Sequence, residues 1–399
     1  MRILFLSRWL PFPADNGSKL RIFNLLRQLR HEHEIALVSF AEPGESLAAA
    51  AEGLAPYCSE VEIRPFRPYR ATSARALAGL LSSEPRSLVD TWSAEFSAAI
   101  AGVRRRFHPD LVIASQLGAL PYALAIPDVP ILLEELEVSG YWDSAFRPGP
   151  WRQRARSLLT WLKLRSYLRR ALPRLSACTV VSDRERDLVL QTVSDILNVE
   201  VVPNAVDLEQ YATDYGSAEP ASLVYAGALT YRANYDAVQH YLTDIHPVIA
   251  RRVPGLAFRV TGSYQGVDLK ALPSAPGVVF TGRVDDVRPV VARSWASVVP
   301  LRVGGGTRLK ILESMALGTP VVATSKGAEG LDLQPGVDYL RADAPAAFAE
   351  RVVELLDSAE LRQKLARSAR RVVEERYSWD VVGQDVRRLV RQATLASIG

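Results

Sequence analysis

GGGTRLKILESMALGTPVVAT, Gly304 to Thr324, decides how this chain reads. It opens on three consecutive glycines, continues as an amphipathic helix and closes as an apolar strand. Just upstream, ASVVPL (Ala296 to Leu301) reads as another strand. The order strand, glycine loop, helix, glycine turn, strand is one β-α-β unit with its loop at the carboxyl end of the first strand. Ligands of open parallel sheets bind at that end. Gly304, Gly305 and Gly306 allow positive φ and close approach of a ligand to the main chain. Thr307 reads as the helix N-cap. A capping box would place Glu or Gln three residues later, where this chain has Lys310, with Arg308 in the same turn. Two cations at a helix N-terminus oppose the macrodipole, which favours anions there. Backbone N–H groups, the dipole, an Arg and a Lys together suit a diphosphate. A plainer reading stays open on the same residues: a glycine-rich turn with a Lys310–Glu313 pair at i,i+3.

Working outward, the same alternation runs through the chain. Strands are expected at Arg2–Ser7, Ile35–Phe40, Val61–Phe66, Leu111–Ser115, Val129–Leu133 and Ala177–Ser182. After an irregular connector over Leu208–Ser222 they resume at Leu223–Ala226, Ala257–Thr261, Val278–Thr281, Ala296–Leu301 and Pro320–Thr324. Helices are expected between them, including Lys19–His31, Asp236–Arg252 and Ala346–Leu356. Strands alternating with helices argue an α/β fold with parallel, doubly wound sheets. Two Rossmann-like halves imply two domains facing a cleft, where small-molecule sites concentrate.

Composition bounds the answer. At 399 residues, with 48% hydrophobic and 23% charged residues, the chain has material for two cores. A net charge of +4 does not argue for nucleic acid. Cys58 and Cys178, without metal-ligand spacing, suggest a reducing compartment and no zinc. The apolar N-terminus is short and broken by Arg8, so it reads as a first strand and not a signal peptide. The stretch Leu111–Leu133 carries three prolines, Gln116 and Asp128, which argues against a membrane span. The helix expected over Trp151–Arg170 is rich in Arg. It reads either as a surface helix docking on an anionic membrane or lipid-linked acceptor, or as a packed helix with a solvated basic face, the commoner case.

The second half resembles the retaining glycosyltransferases of family 4, which have the GT-B fold. VEVVPNAVD (199–207), LVYAGAL (223–229), FTGRVDDV (280–287), the glycine-triplet segment and RYSW (376–379) carry the resemblance, in family order. LPFPADNGSKLR (10–21) and TVVSDRERD (179–187) extend it more loosely into the first half, and the opening segment is most similar to bacterial polysaccharide-associated sugar transferases. The resemblance implies an acceptor-side domain over 1–200, a nucleotide-sugar domain over 201–378, and a helix over 379–399 returning to the first domain. It implies a nucleoside diphosphate sugar as donor, with Glu313 on the ribose, Gly304 to Thr307 on the diphosphate and sugar, and Arg283 and Val284 bordering the base. Gly227 would lie in the loop after the first strand of the second domain, and Gly17 in an N-terminal glycine loop near the phosphates. Several positions depart from the family. Its first Glu, eight residues before Glu313, is Gly305; its Arg and Lys after that first strand are Ala228 and Ala233; its donor-side His is replaced around Ser115 and Gln116. Arg308 and Lys310 would then take over the phosphate charge.

These readings lead to an expected function. A sugar passes with retention to an acceptor hydroxyl in cell-surface glycan or polysaccharide assembly. Arg308 and Lys310 stabilise the departing diphosphate. No Asp-x-Asp pair is placed for a metal, and Asp285–Asp286 reads as a helix start, so neither metal nor cofactor is expected. The acceptor would be a glycan, a lipid-linked or a small molecule. Glu135 and Glu137, after the fifth strand, are candidates on the acceptor side or simply a solvated turn. Asn234 and Asp236 either face the cleft or start a helix. A cytoplasmic enzyme, at the inner face of the membrane if 151–170 docks there, fits this reading. The rival classes are a nucleotide-sugar epimerase, disfavoured by the lack of histidine near any loop, and a non-catalytic nucleotide-sugar-binding partner.

Overall fold

The β-α-β unit around the glycine triplet is present in the computed structural model, which describes residues 1–193, 198–306 and 308–395. The strand β11 (Ser294–Val299) pairs in parallel with β12 (Val321–Ala323), and the helix Leu309–Ala316 connects them. The helix buries Ile311, Leu312, Met315 and Ala316 on one face and stops at Gly318, whose φ of 73° a side chain would strain. This unit is part of a six-stranded parallel sheet. Its other strands are β8 (Glu219–Ala226), β9 (Ala257–Thr261), β10 (Val278–Gly282) and β13 (Leu340–Arg341), in the order β10-β9-β8-β11-β12-β13.

The first half forms a seven-stranded parallel sheet: β1 (Arg2–Ser7), β2 (Glu34–Ala41), β3 (Glu60–Pro65), β4 (Leu111–Ser115), β5 (Ile131–Glu134), β6 (Ala177–Val180) and β7 (Val199–Val201). Their order is β3-β2-β1-β4-β5-β6-β7. Such strands are covered on both faces, which is why they read as continuous apolar runs and not as alternating ones. Leu4, Leu6, Val112, Ala114 and Leu133 all lie in one fully buried core. Two compact units result: Met1–Pro203 together with Val382–Gly399, and Asn204–Val381. Within the first, Arg387 reaches Gln28 at 2.5 Å and Arg391 reaches Glu32 at 2.7 Å.

Several boundaries differ from the sequence expectations. Within the stretch 199–207, Val199–Val201 is a strand not among those expected, and it closes the first sheet beside β6. The irregular connector ends early, because β8 already starts at Glu219. The helix expected over Asp236–Arg252 starts at Arg232 and widens to a π turn over Tyr241–Ile245 before resuming at His246. Pro247 explains the widening: it has no N–H to give the preceding turn. Among the described residues no helix is long and apolar enough to cross a membrane.

Candidate active site

Strand order reverses between β8 and β11 in the second unit. At such a switch point the loops leaving two neighbouring strands diverge and open a crevice. The loop after β8 begins with Gly227 and the loop after β11 carries Gly304. A third glycine, Gly262, follows β9. A Cβ on Gly262 would lie 2.5 Å from the carbonyl carbon of Gly227, and its φ is 128°. The main chains of two loops therefore touch here, which only glycine permits.

Lys310 points into this crevice. Its Nζ donates to the Tyr225 hydroxyl and to Asn234 Oδ1, both at 3.0 Å, and lies 4.1 Å from the centre of the Tyr225 ring. Asn234 is fixed in turn, accepting from the Tyr225 hydroxyl at 2.7 Å and donating to the Ala228 carbonyl at 2.9 Å. A Cβ on Gly227 would stand 2.6 Å from the Lys310 ammonium, so the glycine is what makes room for it. No carboxylate pairs with Lys310 among the described residues. Desolvation, reinforced by the charge of Arg308, pushes its pKa down to about 7. An ammonium held by two neutral partners next to glycine backbone is poised for an anion. The plainer reading of a Lys310–Glu313 ion pair does not hold: Glu313 instead accepts from the Tyr211 hydroxyl at 3.0 Å. Burial raises the pKa of Glu313.

Arg308 behaves differently. It is buried, and its guanidinium turns back onto the glycine loop, donating to the carbonyls of Gly305 and, at 2.9 Å, Gly304. It also occupies the cap position of the helix, with no side-chain cap bond, so the helix starts at Leu309. The expected cap Thr307 lies outside the described residues. Gly304 and Gly306 have φ of 111° and 75°, as the loop reading requires. A Cβ on Gly304 would sit 3.1 Å from that of Ala233. Ala233, where the resemblance implies Lys, thus packs under the glycine loop. Arg283 is exposed and Val284 half-buried, just past the end of β10.

The first unit has its own switch point, between β1 and β4. Here Gln116, directly after β4, takes φ of 66°, and Glu135, directly after β5, takes φ of 58°. Gln116 Nε2 donates to Glu135 Oε2 at 2.7 Å and to Ser18 Oγ at 3.3 Å, while Trp9 Nε1 donates to Gln116 Oε1 at 3.0 Å. Glu135 is buried, and burial together with neighbouring Glu134 and Glu137 outweighs Arg21 and raises its pKa to about 8. Glu137 is exposed. Arg21, from the first-half motif, is fully buried. It donates to Glu134 Oε1 at 2.6 Å and to the carbonyls of Val202 and Pro203, each at 3.0 Å. Gly17 is exposed and opens the helix Gly17–Arg30, and nearby Lys19 is paired with Asp15 and Glu45 at 3.0 and 2.7 Å.

Sequence reading alone missed Tyr225, Tyr211, Gly262 and Arg21 as parts of these sites, and left Asn234 open. Gly262 carried a usable signal, a glycine directly after an apolar strand.

Comparison with known proteins agrees with this architecture. A Glycosyltransferase Family 4 profile matches residues 16–210, and a Glycosyl transferases group 1 profile matches residues 220–358. The chain is a family 4 glycosyltransferase. This glycosyltransferase is 24% identical over 297 residues to glycogen synthase of Mycobacterium tuberculosis (strain ATCC 25618 / H37Rv), covering 70% of this chain and 68% of that one. It is 20% identical over 164 residues to an uncharacterized 44.6 kDa protein in the cps region of Klebsiella pneumoniae, where the match spans 39% of this chain and 42% of the relative. Among solved structures it resembles HepE of Anabaena in complex with UDP-glucose, at 16% identity and a TM-score of 0.68, covering 98% of this chain and 99% of that one. WaaG, a glycosyltransferase involved in lipopolysaccharide biosynthesis, matches at 13% identity with a TM-score of 0.67, over 97% and 99% of the two chains. These likenesses show the GT-B fold, two parallel α/β units of seven and six strands.

Proposed function

We propose that this glycosyltransferase moves a sugar from a nucleoside diphosphate sugar to an acceptor hydroxyl with retention of anomeric configuration, in the assembly of a cell-surface glycan. The observation that carries the reading is the Lys310 ammonium, set among glycine loops at the switch point of the second unit with two neutral partners. The diphosphate would take the crevice at Gly227, Gly304, Gly305, Gly306 and Thr307, with Lys310 on its oxygens. Arg308 would hold the loop in shape and add positive charge. Glu313 would bind the ribose, and Arg283 and Val284 would border the base. Gly17 would belong to the phosphate side of the first unit. Glu135 would serve the acceptor side, with Glu137 a weaker candidate.

The chemistry follows from the charge. As the bond from the anomeric carbon to the diphosphate breaks, its electron pair goes to the departing oxygen. A cation already in place stabilises that charge without reorganisation. The acceptor oxygen bonds to the anomeric carbon on the face the diphosphate leaves, and a diphosphate oxygen takes the acceptor proton. No metal or cofactor enters this reading, and among the described residues no three His, Cys, Asp or Glu side chains gather as a metal-binding group. Uridine diphosphate sugars are the first donors to test, because HepE is in complex with UDP-glucose. A cytoplasmic setting fits the two buried free thiols. Membrane contact through 151–170 would involve residues of the first unit, not the glycine loops of the second.

The test is donor hydrolysis and transfer, assayed separately over a panel of UDP, GDP and ADP sugars with and without EDTA, with the product anomer read by NMR. Turnover with retention, insensitive to EDTA and lost in Arg308→Ala/Lys310→Ala, supports the account. Wild-type turnover in that double variant overturns it. Donor binding without turnover would favour a non-catalytic partner, and interconversion of the donor sugar an epimerase.

A further inference from the structure

The first unit presents an unusual face of its own. The helix Trp151–Ala171 packs only through its second half, where Trp161, Leu164, Tyr167, Leu168 and Ala171 are buried. Its first half is solvent-exposed, and the exposed side is not simply basic. Trp151 is 74% exposed, and Leu158, Leu159 and Leu162 are between 40% and 48% exposed. That spacing puts the four on one helical stripe.

A second element adds to the stripe. Lys163 Nζ donates to the carbonyls of Gly79, Leu80 and Ser82 at 2.7, 2.8 and 2.9 Å. It thereby caps the end of the short helix Ala74–Ala78 and ties the following turn to the long one. The tie leaves Leu77, Leu80 and Leu81 facing out, Leu81 at 96%. A groove of about 600 Å³ opens on the same elements, its apolar wall including Trp92, Leu124 and Tyr167 and its charged lining formed by Arg75, Glu84 and Arg174. Tyr167 lies on the long helix roughly 8 to 14 Å along the axis from the exposed leucines. Single exposed leucines are ordinary. Leucines from two elements, locked together beside a groove with a net basic lining, mark an interaction surface.

Charge says what kind. From Ser144 to Ser182 the chain has no Asp or Glu. Arg147, Arg152, Arg154 and Arg156 flank the stripe, and none of them forms an ion pair among the described residues. A second copy of the chain would set this arginine cluster against itself, since a two-fold interface brings the same patch to both sides. An anionic lipid surface meets both needs: it buries the leucines and neutralises the arginines.

We propose that this face, formed by residues 77–81 and the first half of the helix Trp151–Ala171, docks the protein peripherally on a bilayer containing anionic phospholipid. The docking is independent of the donor chemistry.

The test is flotation of the full-length protein with vesicles of phosphatidylcholine alone and of phosphatidylcholine with one-quarter phosphatidylglycerol. The expected result is binding to the anionic vesicles only, weakening as salt is raised. Arg154→Gln/Arg156→Gln should weaken it roughly 25-fold, at about fivefold per arginine. Leu81→Ser/Leu158→Ser/Leu159→Ser should weaken it at least tenfold while donor hydrolysis and the melting temperature stay at wild-type values. Equal binding to both vesicle types, no binding at low salt, or undiminished binding by the leucine variant would overturn the proposal. So would a dimer in sedimentation that the leucine variant dissociates.

Discussion

The two switch points of this protein are built from opposite materials. In the second unit the residues after the strands are Gly227, Gly262 and Gly304, and positive φ falls on glycine. In the first unit positive φ falls on Gln116 and Glu135, whose side chains are locked to each other and to Trp9. Glycine at a strand end lets a ligand reach main-chain N–H groups. A polar residue held in the left-handed region, at a cost of about 1–3 kcal/mol, instead fixes a side chain in one direction. The second unit is thus shaped for a group bound by backbone and cation, as a diphosphate is. The first presents a buried carboxylate of set orientation.

The largest expected effect probes the cation. Lys310→Met should lower kcat/KM for transfer by about 10²–10³-fold, the size found when one preorganised donor to a developing anion is removed. The fold should survive, since methionine fills the space without a charge to desolvate. Steady-state kinetics with an intact melting curve would show this; unchanged turnover would break the contrast between the units. Gly227→Ala sharpens it. The new Cβ would fall 2.6 Å from Lys310 Nζ and 2.8 Å from Asn234 Nδ2, at a backbone conformation alanine accepts. Displacing the ammonium by a fraction of an ångström should cost roughly ten- to a hundredfold in turnover, with melting little changed.

A smaller effect reads the first unit. The folded protein keeps a proton on Glu135 up to about pH 8, whereas an unfolded glutamate releases it near about 4.3. Stability therefore falls as pH rises across that window. Glu135→Gln keeps an oxygen for Gln116 and does not titrate. Thermal unfolding of the variant should gain on the wild type by a few degrees between about pH 5 and 9. A constant difference at all pH values would mean Glu135 is not held protonated. Glu137→Gln should change least, within about 0.5 kcal/mol of stability, because Glu137 is exposed on the same loop. A large loss of activity there would transfer the acceptor side from Glu135 to Glu137.

Much of this is legible in the sequence. The strands announced themselves because parallel strands are apolar on both faces. Lys310 stood out because it breaks the helix-dipole rule in the turn after three glycines. What the sequence hid is what depends on distant partners. Asn234, Tyr225 and Tyr211 reach Lys310 and Glu313 from 76, 85 and 102 residues away. The direction of Arg308 was hidden too, since a guanidinium at a loop end either faces a ligand or folds back on carbonyls, and composition is the same in both cases. Glu135 and Glu137, two residues apart, were indistinguishable until the strand end buried one and exposed the other.

The most direct test of the central claim is calorimetric binding of UDP to the wild type and to Lys310→Met between pH 7 and 9, in buffers of different ionisation enthalpy. A phosphate's second ionisation lies near about 6, and the uracil N3–H ionises only at the alkaline end of the range, so around pH 8 the ligand's charge changes little. A diphosphate on Lys310 raises a pKa that stands at about 7 in the free protein. Wild-type affinity should therefore strengthen as pH falls from 9 towards 7, with uptake approaching one proton per UDP near pH 8. The variant should bind more weakly and without that slope. Binding to the wild type that ignores pH, or a variant with undiminished affinity, would contradict the assignment of Lys310 to the diphosphate.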